Sequence, residues 1–217
     1  MSTLHNILAF VLISTLISPV HGLKPNELRT CYVNCDLEGK LDFQIFAYAM
    51  ESLEEMEYIN EDIVTIIDFS KPSTEKRLFI LDLEKQKILY HTYVAHGKNT
   101  GQNRATKFSN NKGSNQSSLG LFRTAESYQG KHGYSLRLDG LEKGFNDNAR
   151  SRAVVMHSAS YVSEGFIQKH GRLGRSWGCP ALPVELSKEI IDLIKEGSCL
   201  YIYADDSNYL ENSILSD

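Results

Sequence analysis

One segment of the chain, residues 154–183, concentrates the side chains that could carry out covalent chemistry. It contains Cys179, preceded by Gly178, and a histidine, His157, that lies 22 positions earlier. A cysteine thiolate is a strong nucleophile, and cationic neighbours favour it by lowering the pKa of the thiol. A histidine can take and return a proton near neutral pH. Together these residue types predict acyl transfer through a thioester.

The surroundings of the cysteine fit this chemistry. We expect its thiolate to be favoured by three basic residues that precede it, Lys169, Arg172 and Arg175. Gly178 lets the backbone approach a substrate closely, so that consecutive amide N–H groups face a developing oxyanion. The apolar run 154–156 is typical of the end of a buried strand, which would deliver His157 and Ser158 to an edge of the sheet.

The elements that must position these residues are predicted to be mainly β, with peripheral helices. Apolar runs of strand length are separated by turn residues, at 63–69, 78–83, 88–95, 134–138, 153–157 and 199–204. Apolar residues at helical spacing predict helices over 41–56 and 184–196. The polar stretch 97–118 is predicted to be a long loop, and long loops inside compact domains are often functional.

Composition limits the class of protein. With 217 residues, 41% of them hydrophobic, the chain has enough apolar mass for one packed domain. It carries 23 basic and 27 acidic residues, for a net charge of −4. Proteins that bind nucleic acids usually show a basic footprint, so no nucleic-acid partner is expected.

The first 22 residues differ from the rest because they contain no Lys, Arg, Asp or Glu. The apolar run 7–17 is too short to span a bilayer and fits the core of a secretory signal, although a buried or membrane-anchoring helix is the alternative. We expect an exported protein of the periplasm or cell envelope, with no stable membrane insertion after cleavage. In an oxidising compartment Cys31 and Cys35 could pair, whereas Cys199 is expected to be a small buried hydrophobe.

Two motifs resemble a known family. Met156-His157-Ser158, followed by Ser176-Trp177-Gly178-Cys179, resembles the catalytic signature of YkuD-type L,D-transpeptidases, in particular the murein L,D-transpeptidase catalytic domain branch. The similarity extends over about 63–204. It implies a YkuD-like β-sandwich or barrel. The expected organisation is a signal peptide at 1–22, an N-terminal helical extension at 23–60, a catalytic domain at 61–205 and a C-terminal tail at 206–217.

The resemblance implies a role for each motif residue. Cys179 would be the nucleophile, His157 its base, and Ser158 would orient the imidazole mainly through its carbonyl. The amides of Trp177, Gly178 and Cys179 would hold the oxyanion. The implied substrate is a peptidoglycan tetrapeptide stem, from which Cys179 would release D-alanine before passing the acyl group to an amine. No metal or organic cofactor is implied, and water as acceptor would make the enzyme a carboxypeptidase.

The chain departs from the wider family at two positions, where Trp177 replaces a usual His and Ala181 replaces a frequent Arg or Asn. Arg175 or His170 is therefore expected to contact the substrate carboxylate, since arginine presents a bidentate fork to carboxylates. The full set of expected substrate-binding residues is Arg175, His170, Arg172 and Ser176.

Two other functions remain open. In a zinc peptidase, His157, His170 and Cys179 would be the ligands, but their spacing of 13 and 9 residues matches no established zinc pattern. A wall-binding relative without catalytic activity is the second alternative. The acyl acceptor and the oligomeric state are not determined by the sequence.

Overall fold

The computed structural model describes residues 24–55, 58–131 and 133–213. The predicted signal segment 1–22 lies outside these ranges. Within them the elements, in chain order, are α1 Pro25–Asn34, α2 Phe43–Glu55, β1 Asn60–Asp68, β2 Leu78–Asp82, β3 Lys87–Thr92, β4 Gly120–Gly130, β5 Gly133–Gly140, β6 Val155–Ser158, α3 Glu164–His170, β7 Ala181–Leu182, α4 Val184–Ile194, β8 Ser198–Tyr203 and α5 Ser207–Asn212.

The strands form one mixed sheet in the order β3-β2-β1-β8-β4-β5-β6-β7. Two of its pairings, β1 with β8 and β6 with β7, are parallel, and the others are antiparallel. The sheet also curls back on itself, because Ala95, just after β3, forms an antiparallel bridge with Ala181 of β7. The predicted fold class, mainly β with peripheral helices, is confirmed.

All six predicted strands and both predicted helices occur, with small shifts at their ends. Two strands were not predicted. The second half of β4 is polar and partly exposed, so it lacks the apolar run that marks a strand. The two residues of β7 lie between Pro180 and Pro183, a context that sequence patterns assign to turns.

The N-terminal helices share the hydrophobic core of the sheet. The buried face of α2 includes Phe46, Met50 and Leu53, which belong to the same cluster as Ile66 of β1 and Tyr201 of β8. Helix α1 begins with Pro25 in its first turn, and Glu27 accepts a hydrogen bond from the backbone N–H of Lys24 at 2.9 Å. The region predicted as an extension therefore packs as part of the core.

The segment predicted as a C-terminal tail contains helix α5. Its Tyr209 is buried, and the hydroxyl donates to Oε1 of the buried Glu142 at 2.9 Å. The cysteines at 31, 35 and 199 are all buried and all free, and Cys199 lies in β8 as predicted. None of the described helices combines the length and apolar character needed to cross a bilayer.

The packing of α2 predicts the cost of truncating its central aromatic residue. Phe46 has no exposed surface, so Phe46→Ala should lower the free energy of unfolding by about 3–5 kcal/mol. Urea denaturation measures this loss. Gln44→Ala, on the exposed side of the same helix, should change the free energy by no more than about 0.5 kcal/mol. Equal midpoints for the two variants would show that α2 does not contribute to the core.

Candidate active site

The pairing of β6 with β7 brings the cysteine segment to the histidine. In this parallel register His157 lies opposite Ala181, and Cys179 comes two residues before Ala181. The sulfur of Cys179 accepts a hydrogen bond from the Val155 N–H at 3.4 Å. Side chains two apart on a strand point to the same face, so Val155 and His157 face the same pocket, which both of them line together with Cys179.

The imidazole of His157 has a defined tautomer. Its Nδ1 lies 2.9 Å from the backbone carbonyl oxygen of Ser158. A carbonyl only accepts, so Nδ1 is the donor of this hydrogen bond. The side chain is buried, with 5% of its surface exposed. An imidazole that donates from Nδ1 in this way would accept a proton at Nε2 when it acts as a general base.

Cys179 and His157 line a pocket of about 870 Å³. Every charged residue that lines the pocket is basic: Lys112, Lys131, Arg152 and Arg175. The site therefore has the electrostatic character of a receptor for an anionic molecule. Tyr161 also lines it, and burial raises the pKa of this phenol to about 12, so the hydroxyl is a potential hydrogen-bond donor at neutral pH.

Burial dominates the ionisation of the cysteine. It raises the pKa of the Cys179 thiol, while the Val155 N–H and the charge of Arg152 act in the opposite direction and offset this only in part. The thiol hydrogen points toward the carbonyl oxygen of Ala153, with the sulfur 3.8 Å from that oxygen. In the resting state the sulfur is thus protonated at neutral pH and needs a base.

The predicted source of positive charge at the cysteine was wrong. Lys169 is exposed on α3, Arg172 donates to the carbonyl of Leu173, and Arg175 donates to the carbonyls of Lys98 and Gly101. The cation that acts on the sulfur is Arg152, which lies just before β6. Lys169 and Arg172 lie outside the pocket, and Arg175 lines it without being the cation that acts on the sulfur.

The backbone around the cysteine is held by hydroxyl groups. Gly178 has a φ of 125°, and its carbonyl accepts from the Ser117 hydroxyl at 3.0 Å. The Ser176 hydroxyl accepts from the Gly178 N–H at 3.0 Å and donates to the Cys179 carbonyl at 2.6 Å. The Gly178 amide, which was predicted to hold an oxyanion, is thus already engaged by the Ser176 hydroxyl. Within the described chain the amides of Trp177 and Cys179 have no acceptor, and these two remain for that role.

The expected substrate-binding residues divide into two groups. Arg175 and Ser176 line the pocket. Trp177, which was expected to act through its amide, lines it too, and its side chain is 71% exposed, with Lys98 Nζ 5.6 Å from the centre of its ring. His170 and Arg172 do not line it. His170 ends α3 and stacks on Phe166 at 4.2 Å, because Gly171 terminates the helix in a left-handed conformation outside the site.

The position of His170 also bears on the zinc alternative, because one of its three proposed ligands lies outside the pocket. Within the described ranges, no group of three or more His, Cys, Asp or Glu side chains is placed to hold a metal ion. The pocket residues that the sequence did not single out include Lys112, Lys131, Arg152 and Tyr161. Lys112 belongs to the long polar loop, and Arg152 directly precedes the predicted strand that carries His157. Both positions in the sequence could therefore have identified these two residues as candidates for the site.

A family model described as the L,D-transpeptidase catalytic domain matches residues 37–203, which is most of the chain. The match confirms the resemblance found in the motifs. It begins before the predicted boundary at residue 61 and includes α2. No curated protein matches the chain.

Solved structures of L,D-transpeptidases also match. An enzyme from Mycobacterium smegmatis is 14% identical with a TM-score of 0.40, covering 66% of this chain and 59% of its own. One from Stackebrandtia nassauensis is 14% identical with a TM-score of 0.38, covering 83% and 78% respectively. One from Xylanimonas cellulosilytica is 14% identical with a TM-score of 0.37, covering 73% and 69%. The chain thus spans about three fifths of the length of the Mycobacterium smegmatis protein.

The turn before the cysteine predicts a strong requirement for glycine. A Cβ at Gly178 would lie 2.7 Å from the carbonyl oxygen of Gln116, and the positive φ alone costs a side-chain-bearing residue about 1–3 kcal/mol. Gly178→Ala should therefore lower the midpoint of urea unfolding. Gly165→Ala is the matched control, since a Cβ there meets nothing within 4 Å. An unchanged midpoint for Gly178→Ala would contradict the backbone geometry described here.

Proposed function

Because the chain belongs to the L,D-transpeptidase catalytic domain family, whose enzymes act on peptidoglycan stems, we propose that it is a peptidoglycan-modifying cysteine acyltransferase. Its donor is a tetrapeptide stem, and its acceptor is an amine of a second stem. The observation that carries the proposal is the shared pocket of Cys179 and His157, in which the imidazole Nδ1 donates to the Ser158 carbonyl and Nε2 is the nitrogen that would take the proton.

The first half-reaction forms a thioester. The Cys179 sulfur attacks the carbonyl carbon at the L-centre of the third residue, and its proton passes to His157 Nε2. The amides of Trp177 and Cys179 donate to the oxyanion of the tetrahedral intermediate. The carbon–nitrogen bond to the terminal D-alanine then breaks, and the departing amine takes the proton from the imidazolium. The products are free D-alanine and an acyl enzyme.

The second half-reaction returns the cysteine to its starting state. An amine of the acceptor stem attacks the thioester carbonyl and gives a proton to His157. The carbon–sulfur bond breaks, and the imidazolium protonates the sulfur. Water in place of the amine gives a shortened tripeptide, so an L,D-carboxypeptidase is the alternative outcome at the same site.

The charge of the pocket supports a peptide donor that carries carboxylates. Its charged lining is entirely basic, and arginine recognises carboxylates through paired hydrogen bonds. Arg175 is the group we assign to the terminal carboxylate of the donor. Its Nη1 is held by the carbonyls of Lys98 and Gly101 at 3.0 and 2.9 Å, which leaves its other N–H groups for the substrate.

The organisation of the chain follows the same proposal. A signal peptide at 1–22 would direct export to the periplasm or cell envelope, where peptidoglycan lies. In this proposal the catalytic domain at 61–205 is preceded by the helical region 23–60, which packs into its core, and followed by the segment 206–217.

Mass spectrometry of purified disaccharide tetrapeptides after incubation with the protein tests the reaction. We expect a 3→3 cross-linked dimer, release of D-alanine, and an acyl adduct on the intact protein. Cys179→Ala should abolish both the product and the adduct, and His157→Gln should slow product formation by about 10²–10⁴-fold. A tripeptide without dimer would support the carboxypeptidase, and unchanged muropeptides would support a relative without activity.

Two controls separate this mechanism from the alternatives. His170→Ala should leave the product yield unchanged, since this side chain lies outside the pocket. A thiol alkylator should abolish activity, whereas a chelator should not affect it. Loss of activity with the chelator alone would favour the zinc peptidase.

Arg175 gives a prediction about donor recognition. Arg175→Gln should raise KM for the tetrapeptide by about tenfold with little change in kcat, because a hydrogen bond to a charged group is lost. The discriminating substrate is a tetrapeptide whose terminal carboxylate is amidated. Wild-type protein should bind this amide poorly, and Arg175→Gln should bind acid and amide alike. If the variant keeps the wild-type preference, another group recognises the carboxylate.

A further inference from the structure

Arg152 is half-buried, and both of its terminal guanidinium nitrogens donate to one stretch of the long loop, residues 109–118. Its Nη1 donates to the Ser109 carbonyl at 2.7 Å and to the Ser118 hydroxyl. Its Nη2 donates to the Ser114 hydroxyl at 3.2 Å and to the Gln116 carbonyl at 2.7 Å. All four acceptors are neutral, so these bonds fix the position of the guanidinium without compensating its charge.

The charge of Arg152 has no carboxylate partner. None of the ion pairs found within the described residues involves it. Arg150 provides the contrast, since it pairs with both Glu126 and Asp139. A partly buried cation that lacks an anion is an uncompensated charge, and a nearby group that becomes negative is stabilised by it.

The group that lies beside this cation is the cysteine segment. A Cβ built on Gly178 would lie 3.6 Å from Nη2 of Arg152. Ala153 follows Arg152 in the chain, and its carbonyl oxygen lies 3.8 Å from the Cys179 sulfur. The guanidinium thus lies between the 109–118 stretch and the Gly178–Cys179 peptide. Because four hydrogen bonds hold it in place, it needs little reorganisation when a negative charge forms next to it.

We propose that Arg152 is a positioning residue for the nucleophile: held by the 109–118 stretch, its guanidinium stabilises the thiolate that Cys179 becomes when its proton leaves. This role rests on the proposed function of Cys179 as nucleophile. The same stretch lines the pocket through Lys112, Gly113 and Asn115. A donor peptide bound against the 109–118 stretch therefore contacts the same loop that holds the Arg152 guanidinium next to the cysteine segment.

Other groups around the sulfur do not replace this cation. The titratable and charged residues that line the pocket with Cys179 are Lys112, Lys131, Arg152, His157, Tyr161 and Arg175. Among them His157 takes the proton, and Tyr161 is neutral at neutral pH. Arg152 is the one whose charge opposes the effect of burial on the pKa of the thiol.

The test measures alkylation of Cys179 by iodoacetamide from neutral to alkaline pH, with intact-mass detection and no peptidoglycan. Arg152→Gln should move the midpoint of the alkylation profile to higher pH, because loss of the cation disfavours the thiolate. Alkylation at neutral pH should slow by roughly tenfold, while the rates at high pH converge. The thiols of Cys31, Cys35 and Cys199 are buried, so Cys179 is the residue that reacts in the folded protein.

Three further variants separate charge from structure. Arg152→Lys keeps the charge but loses the paired hydrogen bonds, and its midpoint should stay near that of wild type. Ser114→Ala removes one support of the guanidinium and keeps the charge, so its midpoint should also hold. Arg150→Gln changes the net charge of the protein as Arg152→Gln does, and it should not shift the profile.

The outcomes distinguish the two proposals. A normal wild-type profile with an unshifted midpoint in Arg152→Gln overturns the role of Arg152 alone, as does an equal shift in Arg150→Gln. If Arg152→Gln no longer unfolds cooperatively in urea, Arg152→Lys decides: a wild-type midpoint supports the electrostatic role, and a raised midpoint overturns it. A wild-type Cys179 that reacts at no pH overturns the proposed function as well.

Discussion

The parallel pairing of β6 with the two-residue strand β7 is the constraint on which the site depends. Ala181 of β7 is held on its other side as well, since it exchanges hydrogen bonds with Ala95 at 2.9 and 3.2 Å. Its side chain is fully buried, so the segment has no room to slide along β6. A shift of one residue would turn the side chains to the opposite face. The fixed register thereby keeps Cys179 beside the strand that carries His157.

The second constraint is the set of hydroxyl groups that shape the turn before the cysteine. Ser117 and Ser176 bind the carbonyls of Gly178 and Cys179, and Ser176 also accepts from the Gly178 N–H. Only the neighbouring amides of Trp177 and Cys179, among those of this turn, are then left to donate hydrogen bonds to an oxyanion. Because Ser117 belongs to the long polar loop, that loop is built into the site at two places, through this hydroxyl and through the acceptors of Arg152.

The electrostatics of the site favour a neutral resting state and a charged reacting state. A neutral thiol in a partly buried site costs little, whereas a buried ion pair carries a large desolvation penalty. In the mechanism that we propose, charge separates when the Cys179 proton moves to His157, and the backbone amides and Arg152 would stabilise the resulting anion. This arrangement links reactivity to proton transfer at the moment of attack rather than to a permanently ionised sulfur.

The sequence alone determined the mainly β fold, six of the strands, two helices, and the presence of Cys179 and His157 in one site. These follow from apolar periodicity and from two short motifs, which are local properties of the chain. Only the tertiary structure decided which cation faces the sulfur, which amides remain free, and that His170 lies outside the pocket. Those outcomes depend on where α3 and the long loop direct their side chains. Distance along the chain does not encode that direction, because it arises from packing between segments that are remote in sequence.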